Sequence, residues 1–409
     1  MNDSKPTLWT RNFTLLILAT SFGAIGGVAG GFALSFLVFD ETGSTLASAL
    51  ILAIQFVPGF LIPLFAAPWL DRLPRKPFLV FGDAFNGVMY ALAGVYLLVR
   101  PFSYLGYLIF SLLLACMGSF DELAYNSIYP NLIPKGLESK GYAVSSMLYP
   151  VIHVVMMPLA AILLDTVGVA AILIGQGALS ILAALTESRI TLREERRLGQ
   201  ESYSLTRWKD DLLAGLSYIK KEKGLQGIFA YTSFVSGIAN GYYPLLIAFF
   251  RTAPGFSSGM YALFSVVEFI GRSIGSALQY KIEIPPKKKF GISFFIYQFY
   301  EVMDAILLWT SYPLMLLNRG ICGFLGVNSA TMRAAAMQKY IADEYRARVN
   351  AFDSVCFTAA SSVLTLLVGG LGELFDYRVC ISLCGIASIV VCWSTIWYRR
   401  KEIRVIYES

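Results

Sequence analysis

Glu268 stands four residues before Arg272 in "YALFSVVEFIGRSIGSALQY" (261–280), a stretch otherwise suited to hydrocarbon. A carboxylate set in an apolar helix is costly there and is a candidate for taking up a proton or meeting a cation. Glutamate four residues ahead of arginine is also the favourable order for a helix pair. Two readings fit: a functional carboxylate, or a self-neutralised pair that only holds its helix against neighbours. The single histidine, His153, falls in another apolar run, where it either relays protons or is a hydrogen-bonded packing residue. Glu301, Asp304, Asn318 and Arg319 place further charge and polarity in two more runs, at positions that permit pairing across helices. Neutral candidates are Gln55, Gln176, Tyr231, Asn240 and Tyr243. Aromatic walls with a few polar groups suit an amphipathic organic molecule.

Other chemistry finds no support. "GFSSG" (255–259) matches the serine-hydrolase pattern G-x-S-x-G, but that pattern works only on a strand–turn–helix elbow with a histidine nearby, and here it falls in a short loop. No HExxH, P-loop or paired-cysteine pattern occurs, so neither metal nor nucleotide cofactor is expected. Cys116, Cys322, Cys356, Cys380, Cys384 and Cys392 all lie in apolar runs and read as small core residues. The chain is not expected to be an enzyme.

The elements that carry these residues follow from composition. Of 409 residues 56% are hydrophobic and only 15% charged, against roughly a quarter charged in soluble domains. Mean hydropathy is +0.62. Twelve apolar runs are long enough to cross a bilayer as helices, about 12–38, 46–70, 77–99, 103–126, 142–164, 168–187, 227–250, 258–280, 290–310, 312–335, 350–371 and 378–398. They are continuously apolar, unlike the alternating strands of a barrel. The expectation is an all-α integral membrane protein. The net charge of +6 does not mark a nucleic-acid binder, because 28 of the 33 basic residues fall at the ends and in alternate connections of this pattern. Arg333 is counted there as a loop residue. By the positive-inside rule both termini face the cytoplasm.

The polar stretch 187–225 separates six runs from six. Within it Leu205, Trp208, Leu212, Leu216 and Ile219 recur at helical spacing, which fits an amphipathic helix on the membrane surface or a linker helix packed on protein. The expected organisation is an N-terminal bundle (1–187), a linker (188–225) and a C-terminal bundle with a short tail (226–409). The halves echo one another: "IPKGLESKGYAVSS" (133–146) aligns with "IADEYRARVNAFDS" (341–354) at an offset of 208 residues, matching Ile133 with Ile341 and Lys140 with Arg348. In "GAIGGVAGG" (23–31) glycines recur at four-residue spacing, which permits close helix approach or backbone lining of a cavity.

A duplicated six-plus-six helical bundle is a recurrent architecture of secondary transporters. "DRLPRK" (71–76), after the second run, resembles the signature loop of the major facilitator superfamily, with Asp71, Arg72, Arg75 and Lys76 on its charged positions and Ala67 and Pro74 replacing its two glycines. Residues 32–76 and the loops "YPNLIPK" and "ADEYRARV" look closest to the bacterial macrolide-efflux-like branch. The resemblance implies two pseudo-symmetric six-helix bundles that rock about a central cavity in the bacterial inner membrane. It implies a latch in which Asp71 meets the start of the eleventh span and Arg75 pairs with Asp121 or Glu122; the plainer alternative is that these cations only retain the loop inside. It places Glu301 and Asp304 on a peripheral span, as structural residues, and leaves Arg319 as a cavity candidate alongside Arg272. The implied activity is proton-coupled efflux of amphipathic organic compounds by a monomer, with Glu268 first and His153 second as coupling residues. "MPLAA" (157–161) departs from the Gly-Pro-x-x-Gly pattern of the family's antiporters, which keeps open an uncoupled facilitator, an importer or a lipid flippase. A transport-dead receptor or scaffold is the remaining alternative.

Overall fold

In hydrocarbon a backbone N–H or C=O has no water to turn to, so an apolar run must satisfy its own polar groups, and a helix does this. The computed structural model describes residues 7–70, 74–191, 205–281 and 284–408. They form α1 (Arg11–Thr42), α2 (Thr45–Leu70), α3 (Lys76–Val99), α4 (Tyr104–Leu132), α5 (Glu138–Ser188), α6 (Leu205–Lys221), α7 (Lys223–Thr252), α8 (Ser258–Lys281), α9 (Pro286–Ile306), α10 (Tyr312–Tyr340), α11 (Asp343–Leu374), α12 (Tyr377–Cys392) and α13 (Arg400–Glu408). Helix starts follow local chemistry. Prolines occupy the first turn of α3, α9 and α10, where a missing N–H costs nothing. Ser103 accepts a hydrogen bond from the Gly106 amide at the start of α4, and Asp376 from the Arg378 amide at the start of α12.

Ten of the described helices are long and apolar enough to cross a bilayer. One of them, α5, is two spans: Gly168 breaks it with φ 78° and ψ 172°, a conformation nearly reserved for glycine. Helix α10 completes the set of twelve, its hydropathy lowered by Asn318, Arg319, Asn328 and Arg333.

Two compact units are separated at Thr42/Gly43, Phe56/Val57 and Tyr203/Ser204. In the first, α5 packs on α1 and on α3, and α3 on α4. In the second, α7 packs on α11, α8 on α10, and α9 on α12. The repeat is visible in the coordinates. Helices α4 and α10 begin and end at the same 208-residue offset. Ile133 and Ile341 each follow them as an extended cap, buried in the core of its own unit.

Helix α2 is shared: residues 43–56 belong to the second unit, the rest of its length to the first. Its start is held in the second unit by Glu373 of α11, whose carboxylate accepts from Ser44 Oγ at 2.8 Å, Leu46 N at 3.0 Å and Thr45 Oγ1 at 3.1 Å. Thr45 Oγ1 also donates to the Gly369 carbonyl at 2.8 Å.

Of the two readings of the linker, the coordinates favour the packed one. Helix α6 lies on α11, with Gly215 against the Arg348 backbone and Tyr218 stacked on Tyr345, ring centroids 4.6 Å apart. The tail is itself a helix, α13, which buries Ile403, Ile406 and Tyr407 against α7 and α9. "GFSSG" lies in the turn between α7 and α8, where Gly255 has φ 81° and Phe256 packs on Phe249 and Phe250.

Candidate functional site

Four helices of the second unit, α7 to α10, line a partly open cavity of ≈ 190 Å³. Close packing of α8 on α10 forms one wall: a side chain at Gly323 would collide with the Glu268 carbonyl, and one at Gly271 with that of Gly320. Tyr231 and Val235 of α7, Glu268 and Arg272 of α8, Tyr297, Tyr300 and Glu301 of α9, and Ser329 and Arg333 of α10 face the space.

The charges are graded by depth. Glu268 and Arg272 form an i,i+4 pair at 3.7 Å, with side chains 26% and 55% exposed. Glu301 is buried, and its carboxylate accepts from Tyr231 Oη at 3.4 Å, with Ser388 of α12 beside it. Arg333 is half-buried and donates to Tyr297 Oη at 3.3 Å; Tyr297 Oη in turn shares a 2.8 Å hydrogen bond with Tyr407 Oη of α13. The tail helix thus supports the cavity's guanidinium.

Arg319 does not line this cavity. It is ion-paired with Asp304, both side chains almost fully enclosed, and its guanidinium lies between the rings of Phe264 and Tyr300 at 5.5 and 5.9 Å. Asn318 Oδ1 accepts from Arg319 Nη2 and Cys322 Sγ, each at 3.3 Å, and Asn318 Nδ2 donates to the Met303 carbonyl at 2.7 Å. The cross-helix pairing of α9 with α10 is present, and it takes Arg319 out of contact with any solute in this space. The reason is geometric: the guanidinium meets Asp304 before it can reach the cavity.

The other candidates are dispersed. Tyr243 is 52% exposed and within electrostatic range of Glu268 and Arg272. Asn240 donates to Ser361 Oγ of α11 at 3.1 Å, a helix–helix tie rather than a lining group. Gln55 is exposed on the part of α2 that belongs to the second unit. Gln176 is buried in the first unit against Gly26 and Gly30 of α1, which leaves Gly23, Gly27 and Gly31 open. His153 also lies in the first unit, its ring 6.0 Å from that of Tyr149.

Asp71 and Arg72 of the signature loop lie outside the described residues. Lys76 Nζ donates to the Ser188 carbonyl at 2.6 Å, tying the start of α3 to the end of α5, and Arg75 caps α3 through its backbone. Asp121 faces Gly82 of α3, near Asp83 and Glu187, while Glu122 is exposed.

Two residues of this site were assigned elsewhere by sequence. Glu301 was read as structural, and Arg333 as a loop cation. The signal for Arg333 was the repeat itself: the 208-residue offset that ends α4 at Leu132 carries α10 on to Tyr340, seven residues past Arg333.

Repeated helical units, twelve spans and a polar, aromatic cavity define a polytopic membrane transporter. The chain belongs to the Major Facilitator Superfamily, whose model matches residues 13–299. A comparison with curated protein sequences finds no match. Among solved structures it is similar to an inward-facing, unoccupied bacterial homolog of the human lysosomal transporter Spinster (TM-score 0.65, 14% identity, 98% of this chain and 95% of that one). It is also similar to a POT family transporter in complex with a thioalcohol-conjugated peptide (TM-score 0.69, 13% identity, 96% of both chains). A third likeness is to the nucleoside transporter NupG (TM-score 0.72, 10% identity, 94% of this chain and 99% of that one). Identities this low establish the shared fold.

Proposed function

We propose that this transporter exports amphipathic organic compounds from the bacterial cytoplasm in exchange for entering protons, as in the macrolide-efflux-like branch. The bundles 1–187 and 226–409 rock about the linker 188–225, with both termini cytoplasmic, and the Asp71, Arg72, Arg75 and Lys76 loop latches the inner side. The observation that carries the reading is Glu268: a carboxylate on an apolar helix, partly open to a cavity walled by Tyr231, Tyr297 and Tyr300. A proton drives transport only if it binds the two access states with different affinity. Glu268 is placed for this: its side chain is partly open to the cavity and lies 3.7 Å from Arg272 one helical turn on. His153 is the second candidate. The similar structures that hold peptides or serve nucleosides support a small organic solute.

The test is solute movement in proteoliposomes under an imposed pH gradient, with native protein, Glu268→Gln and His153→Ala. Native transport should follow the gradient, and Glu268→Gln should transport while ignoring it. Native transport that ignores the gradient sinks the coupling and leaves a facilitator, the reading favoured by the altered "MPLAA" pattern.

A further inference from the structure

The cavity's charges do not cancel locally. Glu268 has Arg272, and Asp304 has Arg319. Glu301 also faces the cavity, where its buried carboxylate accepts from the Tyr231 hydroxyl with Ser388 beside it. Arg333 has, among the described residues, one hydrogen-bond partner, the Tyr297 hydroxyl, and no carboxylate at ion-pair distance. Asp353 of α11 lies within electrostatic range of it without closing a pair. A guanidinium offers five N–H donors in a planar fork, and here one phenol occupies one of them. Such a cation in an apolar helix bundle is costly unless something anionic completes it.

The cavity also has direction. Its lining runs along α10 from Cys322 to Arg333, about 16 Å at the helical rise of 1.5 Å per residue. One end holds the self-neutralised Glu268–Arg272 pair, the middle is faced by Tyr300, Val235 and Ala330, and the far end holds Arg333 with Tyr297. That is a slot for an elongated molecule with an apolar body and one anionic end.

We propose that the solute of this cavity is an amphipathic organic anion, a carboxylate or phosphate on an aromatic or aliphatic body, held by the free N–H groups of Arg333 and the Tyr297 hydroxyl. The assignment rests on reading this cavity as the solute site of the transport proposed above. Tyr407 of α13 positions the pair through Tyr297 and touches no ligand.

The test uses purified full-length protein and three probes of one shape and different charge: tritiated indole-3-acetate, indole-3-acetamide and tryptamine, measured by equilibrium dialysis. A charge-assisted fork contributes roughly tenfold to a hundredfold in affinity over a neutral partner. The acid should therefore bind at least tenfold more tightly than the amide, and tryptamine most weakly. Arg333→Gln should erase the preference for the acid. Arg333→Lys, which keeps the charge without the fork, should retain part of it and serves if the glutamine variant does not give a monodisperse gel-filtration peak. An acid preference untouched in both variants, tightest binding by tryptamine, or no binding of any probe at millimolar concentration overturns the assignment. Proteoliposome transport of the same probes separates the two readings. Arg333-dependent binding of the acid without its movement sinks the transport role and keeps the anion site, whereas movement of tryptamine in place of the acid does the reverse.

Discussion

Removing one partner of the Arg319–Asp304 pair should be among the most damaging single changes in the second unit. The two side chains are 5% and 6% exposed, and the guanidinium is flanked by Phe264 and Tyr300. Arg319→Met leaves a carboxylate enclosed by apolar groups; Asp304→Leu leaves a guanidinium there. Breaking an enclosed pair in this way costs about 3–5 kcal/mol, whereas replacing both members by hydrocarbon is often neutral. For a cooperative unit of this size that corresponds to a fall in midpoint of roughly 6–20 °C. The measurement is thermal unfolding of the detergent-solubilised protein, with gel filtration after heating, for both single variants and the double variant Arg319→Met/Asp304→Leu. The double variant should recover most of the loss, a coupling of at least about 2 kcal/mol on the double-mutant cycle. Single variants that melt like the native protein, or a double variant whose loss is the sum of the two, would refute the claim that these charges exist chiefly for each other.

Further expectations are more local. Gly168→Ala forces a Cβ into a backbone conformation that costs a non-glycine residue about 1–3 kcal/mol, and should lower the unfolding midpoint while Gly175→Ala, with open space around it, does not. Glu373→Ala removes the acceptor for Ser44, Thr45 and Leu46, so amide exchange at the start of α2 should rise roughly fivefold, an opening easier by about 1 kcal/mol; exchange equal to native would show the contact to be incidental. Deleting residues 400–408 takes away the packing of Ile403, Ile406 and Tyr407, at roughly 1.5–3 kcal/mol for each buried side chain, and should destabilise the second unit far more than the charge-only change Lys401→Ala.

How much of this was legible in sequence can be traced residue by residue. Length and hydropathy located the twelve spans, because crossing a bilayer sets a minimum apolar length for every helix, but fell five to seven residues short at the ends of α4 and α10 and at the start of α11. The repeat was legible at Ile133 and Ile341, which cap equivalent helices. The break was legible as the short gap at Asp165 and Thr166 between apolar runs, while the residue that takes the positive φ, Gly168, was not. Arg333 was misassigned because positive-inside counting treats an arginine near the end of a span as a loop residue, although the expected run 312–335 already included it and α10 continues to Tyr340. Arg319 lies outside this cavity for a reason sequence does not show: which acid it meets depends on Asp304, fifteen positions away on another helix. Helix α13 escaped notice because its apolar side, Ile403, Ile406 and Tyr407, is dispersed among Arg400, Lys401 and Arg404 and spans only nine residues.

The division of α2 bears on attempts to rebuild the protein from pieces. A break at the polar connector, the obvious place to split the gene, leaves Ser44, Thr45 and Leu46 on one fragment and their acceptor Glu373 on the other. Co-expressed halves would therefore start with a built-in affinity for each other, whereas either half produced alone would lack a native contact at one helix start.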